Sequence, residues 1–285
     1  MVHATSIVEL REHQGSNRDA PCVLVPTMGA LHDGHASLIR QGVTLARERG
    51  WGGGCIVSIF VNPTQFNDPA DFERYPRTID ADLRLCQEAG ANCVWTPHIT
   101  HIYPLGRTIE APLLPRVAQA PGLEDAHRPG HFEGVCQVVA RLFDLVKPTA
   151  AIFGEKDWQQ FQVIRAMTAM LMPGLEIVAG PTLREPDGLA MSSRNRFLSA
   201  EDRRRARAIS LALCESNAAP DIDKAQANMR RVLASEQIEP EYAVVRSEGT
   251  LEPGAGPWRA LIAARVGSVR LIDNSPWRPS IQPRA

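Results

Sequence analysis

Through its first 181 residues, the chain alternates short apolar runs with stretches whose apolar residues recur at helical spacing. Cys22–Pro26 (CVLVP) reads as a buried strand, and Leu38, Ile39, Val43 and Ala46 mark a helix after it. Cys55–Val61 (CIVSIFV) is a second strand, continuously apolar as central parallel strands are. Ile79, Leu83 and Cys86 give the next helix, and Cys93–Pro97 (CVWTP) a third strand. Val135, Val138, Val139, Leu142 and Val146 line one helical face before a fourth strand at Ala150–Gly154 (AAIFG). Phe161, Ile164, Met167 and Leu171 make another stripe, and Leu175–Pro181 (LEIVAGP) a fifth strand. Five such alternations predict a parallel sheet with helices on both faces.

The pattern changes after Pro181. Ser199, with Asp202 three residues on, predicts a helix N-cap, and helices are expected to about Leu213 and over Ala225–Ala234. Two strand-like runs follow, at Glu241–Ser247 and Ala260–Asp273. The expected organisation is an α/β domain over residues 1–182 and a small α+β domain over 183–285. The Pro- and Gly-rich stretch from His98 to Gly134 is too long for an ordinary connection and reads as a functional excursion over the site.

Composition narrows the function classes. Of 285 residues, 31 are basic and 32 acidic, a net charge of −1, so no global field gathers nucleic acid. The basic run Arg203–Arg207 (RRRAR) reads as the wet face of a helix. Six cysteines lie scattered without C-x-x-C, several inside apolar runs, which fits a reducing compartment rather than a disulfide framework. No signal peptide and no run long enough to cross a bilayer is evident, so a cytoplasmic protein is expected.

Four clusters carry chemistry, three of them at strand ends, where ligands of open α/β sheets collect. Val25–Ile39 (VPTMGALHDGHASLI) nearly spells a P-loop, but His35 and Ala36 stand where lysine and a hydroxyl are required. Gly29 permits close backbone approach, and His32 and His35 open a helix three residues apart, a combination that favours a polyphosphate. A capping or packing role for either histidine alone is the competing reading. Zinc ligation by His32 and His35 with His127 and His131 is a weaker one, since H-E-x-x-H and nearby ligand-spaced Cys are missing. Asn62 and Gln65 in Val61–Phe66 (VNPTQF) offer amides suited to a small polar acid, although NPTQ alone could be a plain turn. Gly154–Gln160 (GEKDWQQ) supplies Lys156 as a point cation, with Gln160 four residues on. Asp187–Asn195 (DGLAMSSRN) supplies Ser192, Ser193 and Arg194, loop-like donors for a phosphate tail.

Taken in order, PTMGALHDGH, VSIFVNPTQF, YPRT, RPGHFEGV, FGEKDWQQ and GLAMSSRNRFLS resemble the blocks of the pantothenate synthetase family, over nearly the whole chain. PTMGALHDGH is similar to the histidine–glycine–histidine motif of nucleotidyl-transferring α/β proteins, and MSSRN to the mobile phosphate-binding loop of class I aminoacyl-tRNA synthetases. The resemblance implies a Rossmann-like fold and ATP-dependent joining of pantoate to β-alanine through pantoyl adenylate. It implies ATP contacts from Pro26, Thr27, Met28, Gly29, Ala30 and Leu31, continuing through His32, Asp33, Gly34 and His35. Further ATP contacts would come from Gly154, Glu155, Lys156 and Asp157, from Leu183, and from Met191, Ser192, Ser193 and Arg194. Pantoate would lie against Gln65 and Gln160, with Asn62 and Tyr75 lining the same region. Catalysis would fall to His35 (the residue usually named as proton donor), His32, Lys156 and Arg194. Asp82 matches a position proposed to approach Mg2+, but Ala81 lacks the neighbouring carboxylate of some relatives, so the metal is expected to ride on ATP. Glu133 receives no role. A homodimer is implied as well.

No Ser–His–Asp or Cys–His set is evident, so catalysis is expected to be positioning and charge stabilisation. A related nucleotidyltransferase, or a nucleotide-binding protein without turnover, would use much of the same pocket.

Overall fold

The computed structural model describes residues 1–15, 20–66 and 69–280. In chain order the first part comprises β1 (Val2–Ala4), α1 (Ile7–Gln14), β2 (Cys22–Thr27), α2 (Asp33–Glu48), β3 (Gly54–Ile59), α3 (Pro69–Arg74) and α4 (Ile79–Glu88). It continues with β4 (Cys93–Trp95), α5 (Ile99–Ile102), α6 (Glu124–His127), α7 (His131–Val146), β5 (Ala150–Gly154), α8 (Trp158–Leu171) and β6 (Glu176–Gly180). The remainder is α9 (Ala200–Ser216), α10 (Ile222–Ser235), β7 (Pro240–Ser247), β8 (Trp258–Val266) and β9 (Val269–Trp277).

The first six strands form one parallel sheet in the order β1-β4-β3-β2-β5-β6. Alternation along the strands sorts side chains between the two faces. Val23, Val25, Val57, Val94 and Ile152 meet α2 and α4 on one side. Leu24, Ile56, Trp95, Ala151 and Phe153 meet α1, α7 and α8 on the other. The chain winds outward from β2 to β3 and β4, then returns to place β5 and β6 on the opposite flank of β2. That reversal opens a crevice beyond the carboxyl ends of β2 and β5.

The last three strands form an antiparallel sheet, β7-β8-β9. One face packs on α9 and α10 through Ala206, Ile209, Leu213, Met229, Leu233 and Ile262. The other face contributes Val244 and Leu261 to the core that holds Trp158 and Phe161, so the small sheet is docked against α8.

All five predicted strands form, as do both C-terminal helices, with Ser199 accepting from the Asp202 N–H as the expected cap. The structure adds the short helices α1, α3, α5 and α6, and its strands differ in two places. An additional edge strand, β1, pairs with β4. The run read as one strand over 260–273 is two, folded back at Gly267, whose φ of 57° lies in the left-handed region. The arginine run lies on α9 with three of its charges paired: Arg203 to Glu185 and Asp187, Arg204 to Glu201 and Glu236, Arg205 to Asp202. Among the described residues no helix is long and apolar enough to cross a membrane.

Candidate active site

A cavity of about 230 Å³ occupies the crevice. The β2–α2 loop, the turn after β3, the start of α7, the β5–α8 turn and the Pro181–Arg194 segment all contribute to its wall.

The β2–α2 loop is shaped from below by Asp82. This carboxylate, only 2% exposed, accepts from the Ala30 N–H at 3.1 Å, the Leu31 N–H at 2.8 Å and the Thr78 hydroxyl at 3.0 Å. Gly29 has φ 82°, and a Cβ there would meet Asp82 Oδ2 at 3.1 Å and Ile59 at 3.2 Å. The glycine is therefore required by the turn and by the carboxylate beneath it. Asp82 holds loop backbone and lies outside the cavity wall.

His32 is the N-cap of α2 and His35 its third residue. His32 Nδ1 accepts from the Gly34 N–H at 3.2 Å, and His35 Nδ1 accepts from the His32 N–H at 3.3 Å. A Cβ on Gly34 would strike the His32 ring at 2.9 Å, so the glycine makes room for this folded-back imidazole. Burial lowers both pKa values, to about 4 for His32 and about 3 for His35. Both rings are thus neutral near pH 7, and with each Nδ1 acting as acceptor, each Nε2 carries the proton. A helix start bearing two histidines could offer a phosphate both backbone N–H groups and imidazole donors. Here the rings take up two backbone N–H groups, the capping role also open from the sequence, and carry Nε2–H donors in the cavity wall.

The opposite wall is built around Gln65. Asn62, 1% exposed, donates Nδ2–H to Gln65 Oε1 at 3.2 Å and to the Gly134 carbonyl at 3.1 Å, while its Oδ1 accepts from the Tyr103 hydroxyl at 2.7 Å. With Oε1 engaged, the Gln65 amide is left with its N–H groups as donors in the cavity wall. His131 Nδ1 donates to the Gln65 carbonyl at 3.0 Å, and burial drives its pKa to about 3, so it too is neutral. Tyr75 also lines the cavity, close to Ser193 of the Met191–Arg194 segment.

Positive charge comes from Lys156, Arg194 and Arg128, all in the cavity wall. Burial lowers the Arg128 pKa to about 10, still well above neutrality. Removal from bulk water pushes the Asp157 carboxyl up, but Lys156, Arg194 and Arg128 together hold it below its usual range. Asp157 Oδ2 lies 3.8 Å from Lys156 Nζ. Ser192 caps the following turn by accepting from the Arg194 N–H at 3.2 Å.

Of the residues singled out in the sequence, the cavity wall includes Pro26, Thr27, Met28, His32, Gly34 and His35. It also includes Asn62, Gln65, Tyr75, Gly154, Lys156, Asp157 and Gln160, and then Leu183 and Met191 through Arg194. Gly29, Ala30, Leu31, Asp33, Glu155 and Asp82 lie outside it. Among the polar wall residues, Arg128 and His131, at the end of the Pro- and Gly-rich excursion, had no part assigned in binding ATP or pantoate. RPGHFEGV was their signal, a basic residue and a histidine flanking a glycine turn. Among the described residues no three His, Cys, Asp or Glu side chains cluster as metal ligands.

Residues 3–276 match the family model described as pantoate-beta-alanine ligase. A pantothenate synthetase of Nocardioides sp. is 46% identical over 269 residues, covering 89% of this chain and 78% of that protein. The crystal structure of pantothenate synthetase from Thermus thermophilus superposes with a TM-score of 0.86 at 36% identity, covering 97% of this chain and 99% of that one. A Francisella tularensis pantoate-beta-alanine ligase, crystallised with beta-gamma ATP and beta-alanine, superposes with a TM-score of 0.78 at 32% identity, covering 97% of each chain. A histidine pair at the β2–β5 crevice facing an amide wall, with agreement of this extent in sequence and backbone, places the chain in the pantoate–β-alanine ligase family.

Proposed function

We propose that the cavity joins pantoate to β-alanine in two steps, with ATP spanning the histidine wall and pantoate held at the amide wall. In the first step a pantoate carboxylate oxygen attacks the α-phosphorus, the bond to pyrophosphate breaks, and pantoyl adenylate forms. In the second the β-alanine amine attacks the acyl carbon, loses a proton and expels AMP. His32 and His35 donate Nε2–H to phosphate oxygens, and Lys156 and Arg194 neutralise charge moving toward pyrophosphate. Gln65 and Gln160 hold pantoate in line, and Asn62 fixes which end of the Gln65 amide points inward. Arg128 adds a cation within reach of the same wall, fitted to a second carboxylate. Gly154, Leu183, Met191, Ser192 and Ser193 supply the remaining nucleotide contacts. Mg2+ belongs to this reading as a companion of the ATP phosphates, whose charge it offsets. Asp82, which lies outside the cavity wall and holds loop backbone, is given no part in binding it.

The reading takes the site to lie between domains 1–182 and 183–285 of a cytoplasmic homodimer. The six unpaired cysteines support a reducing compartment, and burial raises the thiol pKa of Cys22 to about 11 and of Cys55 to about 12. The observation that carries the proposal is the pair of neutral imidazole donors and Lys156 sharing one cavity with the oriented Gln65 amide.

Isotope exchange tests it. Purified protein with ATP, Mg2+ and pantoate should exchange labelled pyrophosphate into ATP without β-alanine, and should release AMP once β-alanine is added. Exchange that requires β-alanine would refute the adenylate route.

A further inference from the structure

Lys156 stands on a three-residue turn, Glu155–Asp157, between β5 and α8. Short turns of this type hold their own geometry weakly. The partner that steadies this one comes from the C-terminal sheet. Asn274 of β9, 4% exposed, donates Nδ2–H to the Glu155 carbonyl at 2.9 Å and to the Lys156 carbonyl at 2.8 Å. Its Oδ1 accepts from Arg259 Nη1. The amide can face only one way here, since carbonyls cannot donate and a guanidinium cannot accept. Arg259 is itself fixed: 2% exposed, its guanidinium carbon 3.4 Å from the centre of the Trp158 ring, and paired with Glu248 at 3.0 Å. Asn274 is not part of the main cavity wall.

We propose that Asn274 is a positioning residue for adenylation, setting through two backbone carbonyls where Lys156 meets the phosphates. The neighbouring Asp273 does similar work on the other phosphate-facing segment. Its carboxylate takes both arms of Arg184, at 2.6 and 3.1 Å, and Arg184 also donates to the Gly188 carbonyl at 3.1 Å. Two consecutive residues of β9 thereby brace the turn bearing Lys156 and the hairpin leading to Arg194. The inference rests on Lys156 acting on phosphate, as read above.

A double-mutant cycle separates the two. Asn274→Asp keeps the acceptor for Arg259 but turns an oxygen toward both carbonyls. Pantoate-dependent pyrophosphate exchange is measured for wild type, Asn274→Asp, Lys156→Ala and the double variant, with thermal unfolding followed in each. Asn274→Asp should lower kcat about tenfold to a hundredfold, with the KM for pantoate within about twofold. Added to Lys156→Ala, it should cause no further loss. A crippled Lys156→Ala combined with a harmless or fully additive Asn274→Asp overturns the inference and leaves the role of Lys156 intact. A harmless Lys156→Ala overturns the reading beneath it, and the inference with it. If Asn274→Asp does not fold, Asn274→Ser, which retains one donor, takes its place in the cycle with the same criteria.

Discussion

At the scale of the residue, the informative pair is His32 and His35. Each ring accepts a backbone N–H on Nδ1 and is kept neutral by burial, so neither holds an ionisable proton to give up near pH 7. In the proposed reaction this casts His35 as a hydrogen-bond donor to developing charge, and two variants separate that role from proton transfer. His35→Gln places an amide N–H near the lost Nε2–H and should keep adenylation within about tenfold of wild type, whereas His35→Ala should lose about 10²–10³. Equal loss in both variants would restore proton transfer. The pH profile of the exchange rate makes the same point. With folded values of about 4 and 3, these rings should produce no acidic limb near pH 6.5.

At the scale of the element, the start of α7 sets the amide wall. A Cβ added at Gly134 would collide with the Thr64 backbone carbonyl, and the Gly134 carbonyl receives Asn62. Gly134→Ala should push back the 62–65 turn, raising the KM for pantoate about tenfold or more while leaving the KM for ATP within about twofold. Equal change in both constants would show general damage instead. Elements of this kind are only partly legible in the sequence. Strands β2 to β6 announce themselves as apolar runs because both faces of the sheet are covered. Strand β1 does not, being three residues long with Val2 and His3 exposed. The hairpin of β8 and β9 reads as one strand because apolar residues continue up to both sides of Gly267 and Ser268. In the site, residues beside a strand end are readable, as His35, Gln65 and Lys156 show. The part played by Asp82 is not, because its partners are backbone groups 51 and 52 residues away, which no local pattern displays. Asn274 gives no signal for the same reason.

At the scale of the whole molecule, the neutral histidines bear on stability. His32, His35 and His131 have folded pKa values below the ordinary 6.5, so the unfolded chain binds more protons between those limits. Their contribution is fully present above pH 6.5 and is lost as pH falls toward about 4 and 3. For the enclosed His131, the slope approaches about 1.4 kcal/mol per pH unit below 6.5. The urea midpoint should therefore fall between pH 7.5 and 5, and an unchanged midpoint would contradict neutral burial. Cohesion between the two sheets also rests on charge. Glu124, 6% exposed, accepts both arms of Arg270 at 2.8 and 2.7 Å and the Tyr242 hydroxyl at 2.7 Å. Such a pair costs more when broken than it contributes when intact, because removing either member strands a buried charge.

The two sides of the cavity differ in how they can change over evolutionary time. The imidazoles are clasped by main chain, which every sequence possesses, so they offer descendants of this enzyme little to adjust short of dismantling the helix start. The glutamine opposite is oriented by a side chain, Asn62, that single substitutions can exchange. Altered acid preference should therefore arise on the amide side, with the nucleotide side inherited unchanged.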